Sequence, residues 1–248
     1  MPYTIEAAQD GCYPGTTVLV NKFDLHTQRE LNAVESVLVT AKMIQWAENP
    51  GCAAFDFEHY KAIHRHLFGE LYDWAGQVRM VNLSKKGTQF CPVEEIPRVS
   101  AAIFKRLAQN NLLCGLARND FIAALVDLYQ RTNELHPFRE GNGRTQRVFL
   151  SQLAENAGYD LDFTAVDPDE LMIATIYAAQ GIEAPLQQAF EKIVQKCGMT
   201  RTAPECRDAR RGGFAVQSRF ELHNYIAFCE QKSETFSHLR KNNALCKN

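Results

Sequence analysis

The chain has 248 residues, 46% of them hydrophobic and 23% charged, with a formal net charge of −2. That length holds one large domain, or one domain with an appendage, and the composition is ordinary for a soluble globular protein. The slightly acidic balance argues against an electrostatic nucleic-acid binder, and the longest apolar run, Phe121 to Val126, is too short to cross a membrane.

Met1 to Asp10 has neither a basic n-region nor an apolar h-region, so no secretory signal is read there. The expected location is the cytoplasm, with delivery by a route that reads no N-terminal signal left open. Of the eight cysteines, none forms a C-x-x-C pair, so the usual zinc spacing is absent. They are expected to be reduced and mostly buried.

The pattern along the chain is mainly helical. Leu31, Val34, Leu38 and Ala41 share one face of a helix over Gln28 to Glu48. Phe57, Tyr60, Ile63 and Leu67 mark a second helix. Ile96, Val99, Ile103 and Leu107 mark a third, with Pro92 just before it. Phe121, Leu125 and Leu128 mark a fourth, with Asn119 as its expected N-cap.

One segment reads as β. Val78 to Ser84, then Lys85-Lys86-Gly87 as a turn, then Thr88 to Cys91, predict a small hairpin on a helical body. A fifth helix follows the glycines at 141 and 143 and ends near Gly158. Asp167-Pro168-Asp169-Glu170 opens a sixth, with a cap, a proline at the first position and a glutamate placed for a capping box. Leu186, Phe190 and Ile193 lie on a seventh, expected to stop at Gly198. Beyond it, Arg201, Pro204, Arg207, Arg210, Arg211, Gly212 and Gly213 suggest a linker, and Ser218 with Glu221 a further helix over Arg219 to Gln231. The expected division is a main domain over 1–197 and an appendage over 198–248.

Chemistry concentrates in His136-Pro137-Phe138-Arg139-Glu140-Gly141-Asn142-Gly143-Arg144-Thr145-Gln146-Arg147. Gly141 and Gly143 flank Asn142 at a helix start, where glycine lets several N–H groups aim at one point. With the helix dipole behind it, such a nest suits phosphate. Arg144 and Arg147, three apart, can hold the outer phosphates of a nucleotide. Glu140 offers the carboxylate that a phosphate-bridging Mg²⁺ needs. His136 has the pKa range of a base near neutrality. Phe138 is expected to pin the loop into the core. Taken singly, each of these features is more often structural: a core histidine, a tight turn, a solvated face. The residues alone give a phosphate site with a nearby base.

The same twelve residues resemble the Fic-family motif, H-P-F-x-D/E-G-N-G-R-x-x-R, at every defined position. Tyr13-Pro14-Gly15-Thr16, Asn21-Lys22-Phe23, His66-Leu67-Phe68, Tyr72-Asp73-Trp74-Ala75-Gly76 and Gly87-Thr88-Gln89-Phe90 are similar to segments of bacterial Fic proteins. The resemblance covers about 13 to 195. It implies an all-α Fic fold, a helical bundle with a small β-hairpin flap. It implies a nucleotidyltransferase that moves AMP from ATP to a hydroxyl of a target protein in the bacterial cytoplasm, with Mg²⁺ or Mn²⁺ as cofactor.

In that family pattern His136 is the base and Glu140 holds the metal. Gly141, Asn142 and Gly143 cradle the α- and β-phosphates, and Arg144 and Arg147 bind the β- and γ-phosphates. Lys22, Phe23, Gly87, Thr88 and Gln89 line the base and sugar. The hairpin, Met80 to Pro92, is the flap on which an extended target segment docks by strand pairing, with Val81, Asn82, Leu83 and Phe90 facing the target. The resemblance also suggests a type II topoisomerase subunit as target.

Many family members carry an inhibitory S/T-x-x-x-E-G/N helix. Here the pattern occurs only at Ser151 to Asn156, where Glu155 lies about two turns beyond Arg147 on the same helix and cannot fold back onto it. The resemblance is therefore to the class silenced by a separate small antitoxin. A secreted effector of the same chemistry and a binding module without catalysis are the alternatives. His64 and His66 point to different faces of the second helix, which argues against a metal site, and Arg207, Arg210 and Arg211 read as a solvated linker.

Overall fold

The computed structural model describes residues 11–48, 54–85 and 88–196. Seven α-helices occur among them: α1 Gln28–Glu48, α2 Phe57–Phe68, α3 Ile96–Gln109, α4 Arg118–Leu135, α5 Asn142–Ala157, α6 Pro168–Ala179 and α7 Ala184–Ile193. Two small antiparallel ladders complete the fold, β1 Ser84–Lys85 with β2 Thr88–Gln89, and β3 Tyr159–Leu161 with β4 Val194–Lys196. The expected appendage over 198–248, and its helix over Arg219 to Gln231, lie outside the described residues.

α5 runs through the centre, packed against α2 on one side and α4 on the other. Its inward face is Phe149, Leu150, Leu153 and Ala154, all fully buried. Tyr60 of α2 and Phe104 of α3 meet Phe149 edge-on at 5.3 and 5.6 Å between ring centroids, the tilted geometry that aromatic quadrupoles favour. Gln146 fixes the α4–α5 contact from within, donating to the Tyr129 carbonyl and the Thr132 hydroxyl, both at 2.7 Å. No helix of the described residues is long and apolar enough to cross a membrane.

Local signals account for most boundaries. The Asp56 side chain accepts from the His59 N–H at 2.7 Å and caps α2. Asp167 caps α6 by accepting from the N–H groups of Asp169 and Glu170, with Pro168 in the first turn.

Four expectations are corrected. α4 begins at Arg118 with Ala117 as its N-cap and no side-chain cap, so Asn119 sits exposed in the first turn. α7 ends at Ile193 instead of continuing toward Gly198, because Val194–Lys196 pairs with Tyr159–Leu161 and Asp162 N–H bonds the Ile193 carbonyl. The buried stripe of α1 is Leu31, Val39 and Met43, with Val34 and Leu38 half-buried and Ala41 exposed. The hairpin ladder is two pairs long, Ser84 with Gln89 and Lys85 with Thr88. One more cross-strand bond, from the Phe90 N–H to the Leu83 carbonyl at 3.1 Å, extends the hairpin, but the stretch from Val78 leaves it because the Arg79 N–H bonds the Pro137 carbonyl, and Leu83 turns inward, 3% exposed. Of the cysteines, Cys12, Cys91 and Cys114 are half-buried.

Candidate active site

α4 ends on His136, whose backbone lies in the left-handed region at φ 41° and ψ 58°. Its N–H still bonds the Thr132 carbonyl at 3.3 Å, but Pro137 has no N–H with which to extend the helix. The chain therefore reverses here, and the His136 side chain stands at the turn. Its Nδ1 lies 3.3 Å from the Asn133 carbonyl, which can only accept. That contact places the proton on Nδ1 and leaves the Nε2 lone pair as the basic atom. Phe90, from the far arm of the hairpin, stacks on the imidazole with ring centroids 3.7 Å apart and planes 10° from parallel.

Phe138 is fully buried, with its ring stacked on Tyr60 and 3.9 Å from the His64 ring centroid. Asn142 closes the loop between them: its Oδ1 accepts from the Phe138 N–H at 2.9 Å and its Nδ2 donates to the Phe138 carbonyl at 2.8 Å. The Asn142 side chain is thus a brace of the loop, and what it offers an anion is its backbone.

The two motif glycines differ. Gly141 has φ 82°, and a Cβ there would lie 2.5 Å from the Phe68 ring, so only glycine fits. Gly143 is ordinary helix, with room for a side chain; a Cβ would sit 3.6 Å from Arg147 Nη1. The expectation that both glycines shape the nest by unusual backbone angles holds for Gly141 alone. α5 starts without a side-chain cap, so its first turn presents the N–H groups every helix start leaves over, with the positive end of the dipole behind them.

Three carboxylate and guanidinium groups gather at this start. Glu140 Oε1 accepts from the Gly141 N–H at 2.8 Å and lies 3.6 Å from Arg144 Nη2. Arg144 Nη2 also meets Glu35 Oε1 of α1 at 2.5 Å, and its guanidinium lies 4.7 Å above the Phe68 ring. Tyr72 donates to the other Glu35 oxygen at 2.7 Å. Burial and the adjacent carboxylate push the Tyr72 phenol well above its usual range, so it stays a donor. Arg147 is half-buried beside Gly143.

His64, whose spacing from His66 argues against a metal site, has a different place in the structure. It is fully buried beneath the loop. Its Nδ1 accepts from the Gly76 N–H at 2.8 Å, which leaves Nε2 to donate to the Glu140 carbonyl at 2.9 Å. Burial lowers its pKa to about 4, so the neutral donor form persists at ordinary pH. Glu35 and Arg79 were missed as well. The signal for Glu35 and His64 was present: both sit on helix faces otherwise taken by core residues, and a polar group there must find a partner.

The remaining expected residues are more peripheral. Lys22 donates to the Gly69 carbonyl at 2.8 Å and pairs with Asp73 at 3.2 Å, and Phe23 is about half exposed. Both belong to a loop docked on the segment after Phe68, one step removed from Gly141. Gln89 is exposed on β2, Thr88 pairs through its backbone with Lys85, and Gly87 lies outside the described residues. In the flap, Val81 is half-buried, and exposed Asn82 accepts from the Val93 N–H at 2.9 Å. Leu83, expected to face a target, is instead buried, at 3% exposure. Glu155 stays exposed on the same helix as Arg147, about 12 Å along it at 1.5 Å per residue.

A helical bundle that sets a histidine turn against an uncapped helix start, with a short hairpin over the histidine, is the arrangement of a known family. The Fic/DOC family model matches residues 54–154, and this chain belongs to that family. A Sinorhizobium fredii protein named a probable protein adenylyltransferase is 36% identical over 74% of this chain and 94% of its own length. An Escherichia coli K12 protein of the same description, named Fic, is 33% identical over 75% of this chain and 92% of its own. The protein adenylyltransferase VbhT of Bartonella schoenbuchensis is 36% identical over 68% of this chain, which spans 35% of that longer protein. Among solved structures, the BepC effector of Bartonella tribocorum with bound AMPPNP superimposes with a TM-score of 0.73 at 28% identity, over 77% of this chain and 99% of that one.

Proposed function

We propose that this chain is a protein adenylyltransferase that moves AMP from ATP to a hydroxyl side chain of another protein. The observation that carries the reading is the convergence of a basic histidine nitrogen, an uncapped helix start and two arginines within one loop and turn.

The triphosphate lies against the first turn of α5, with Arg144 and Arg147 on its outer phosphates. The target hydroxyl oxygen attacks the α-phosphorus, the bond from that phosphorus to the α,β-bridging oxygen breaks, and pyrophosphate leaves. The hydroxyl proton passes to His136 Nε2. Lys22, Phe23, Gly87, Thr88 and Gln89 are assigned to the base and sugar, and Val81, Asn82 and Phe90 to the target segment.

Among the described residues no group of three or more metal-ligating side chains occurs. Mg²⁺ is commonly held by one or two carboxylates, phosphate oxygens and water, so Glu140 beside the triphosphate fits that need. When bound, the ion offsets negative charge on the phosphates. Glu140 would hold it, while its contact to the Gly141 N–H keeps the carboxylate at the cradle.

The biological role we favour is a toxin restrained by a small antitoxin whose helix presents a glutamate to Arg147, with a type II topoisomerase subunit as target. The likeness to VirB-translocated Bartonella effectors supports a second reading, an effector that modifies a host protein. The test is mass spectrometry of proteins in bacterial and in host lysate after incubation with the chain and isotope-labelled ATP. An AMP adduct on a bacterial protein supports the toxin, one on a host protein the effector. No adduct in either lysate, nor on purified gyrase, would count against transfer altogether.

A further inference from the structure

Arg79 lies between α2 and β1, in a stretch to which the motif assigns no role. It is 3% exposed, and its guanidinium fans out onto three separate pieces of chain. Nε donates to the His136 carbonyl at 2.8 Å, Nη1 to the Val81 carbonyl at 2.7 Å, and Nη2 to the Cys91 carbonyl. Val81 precedes β1 and Cys91 follows β2, so the two arms of the hairpin are tied at their roots by the group that also holds the histidine turn. Two backbone bonds reinforce the tie, Arg79 N–H to the Pro137 carbonyl at 2.9 Å and Cys91 N–H to the Glu134 carbonyl at 2.8 Å.

The His136 peptide needs such a tie. Its φ of 41° is a conformation that a β-carbon disfavours and that persists only where surroundings over-determine it. Phe90 lies on the hairpin side of the same joint, stacked on the imidazole. Only arginine carries a rigid planar fork of five donors; a lysine ammonium on its flexible stem cannot hold three carbonyls from three directions at fixed angles.

We infer that Arg79 is a positioning residue that locks the flap roots and the His136 turn into one unit, so that a target strand docked on the hairpin arrives at a fixed distance from the basic nitrogen. The inference rests on the reading of His136 as base and the hairpin as docking site.

The test uses the full chain with Arg79→Lys, which keeps the charge and loses the fork, and Arg79→Gln, which removes the charge and keeps an N–H donor. Three quantities are read: AMPPNP affinity by calorimetry, transfer of label from α-labelled ATP to lysate proteins with its kcat and KM for ATP, and the His136 ring resonances by NMR. The expected result is AMPPNP affinity and KM within threefold of the parent, kcat lower by at least tenfold, and shifted His136 ring signals. Unchanged kcat or unchanged His136 signals in a folded variant would overturn the inference. So would loss of AMPPNP binding in step with transfer, or failure of both variants to fold, since each marks a purely structural arginine. If the parent chain transfers no AMP, the functional reading fails, and the His136 signals alone decide whether Arg79 orients that turn.

Discussion

Glu35 and Arg144, from opposite parts of the chain, form a close carboxylate–guanidinium pair, with Arg144 Nη2 2.5 Å from Glu35 Oε1. Their side chains are only 13% and 23% exposed, and Tyr72 holds the second carboxylate oxygen. The arginine that the motif assigns to phosphate is therefore already anchored by its own protein, over the Phe68 ring.

An anchored pair of this kind should show coupling. Glu35→Gln and Arg144→Gln should each destabilise the fold, and the double variant should lose less than their sum, with a coupling energy of roughly 1–3 kcal/mol. Urea unfolding of the four proteins measures it. Additivity to within about 0.5 kcal/mol would mean the contact holds nothing.

The two glycines of the nest should respond differently to alanine. Gly141→Ala puts a methyl group into the Phe68 ring at a positive φ and should cost more than about 2 kcal/mol, with loss of nucleotide binding. Gly143→Ala, in open helix, should change stability by less than about 1 kcal/mol. Thermal unfolding and AMPPNP titration of both variants decide, and equal damage at the two positions would contradict the geometry.

The neutral form of His64 predicts an acid-sensitive stability. Its folded pKa of about 4 lies below the ordinary 6.5, chiefly through burial. Between those values the unfolded chain binds the proton and the folded chain does not, so stability rises with pH there. The contribution is fully present above about pH 6.5 and is lost as pH falls toward 4. His59 and His66, also lowered by burial, act in the same direction, so the comparison must be with one substitution. His64→Gln should flatten the slope of unfolding free energy between pH 6.5 and 4, and a slope equal to the parent's would refute the assignment.

Why some of this was legible in the sequence and some was not follows from range. The twelve-residue motif is contiguous, and helix periodicity is local, so His136, the start of α5 and the core faces of α2, α4 and α7 could be read directly. The ties that set the site are distant: His64 reaches Glu140 across 76 positions and Arg79 reaches His136 across 57. Alternation suggested a strand from Val78, but the Arg79 N–H bonds Pro137 and cannot join a ladder. Leu83 reads as an outward flap residue because a hairpin of two ladder pairs is too short for alternation to fix which face is buried. Gly143 looked equivalent to Gly141 because the sequence carries no φ.

Phe90 should matter to transfer more than to nucleotide binding. It stacks on the His136 ring from the hairpin, at the joint between the proposed docking edge and the proposed base. Phe90→Ala should leave AMPPNP affinity within about threefold, since it removes no phosphate contact, while labelling of lysate proteins falls by roughly tenfold or more, the scale expected when a reacting group is misplaced. Wild-type labelling in that variant would place target docking elsewhere.

The proposed reaction turns on His136 taking the proton of the attacking hydroxyl. Its most direct test is AMP transfer by His136→Ala, measured with α-labelled ATP and a lysate alongside AMPPNP affinity. The expected result is a folded protein that binds the nucleotide nearly as the parent does and transfers AMP roughly a hundred- to ten-thousand-fold more slowly, the range expected for a lost general base. Transfer at the parent rate by a folded His136→Ala protein would contradict it.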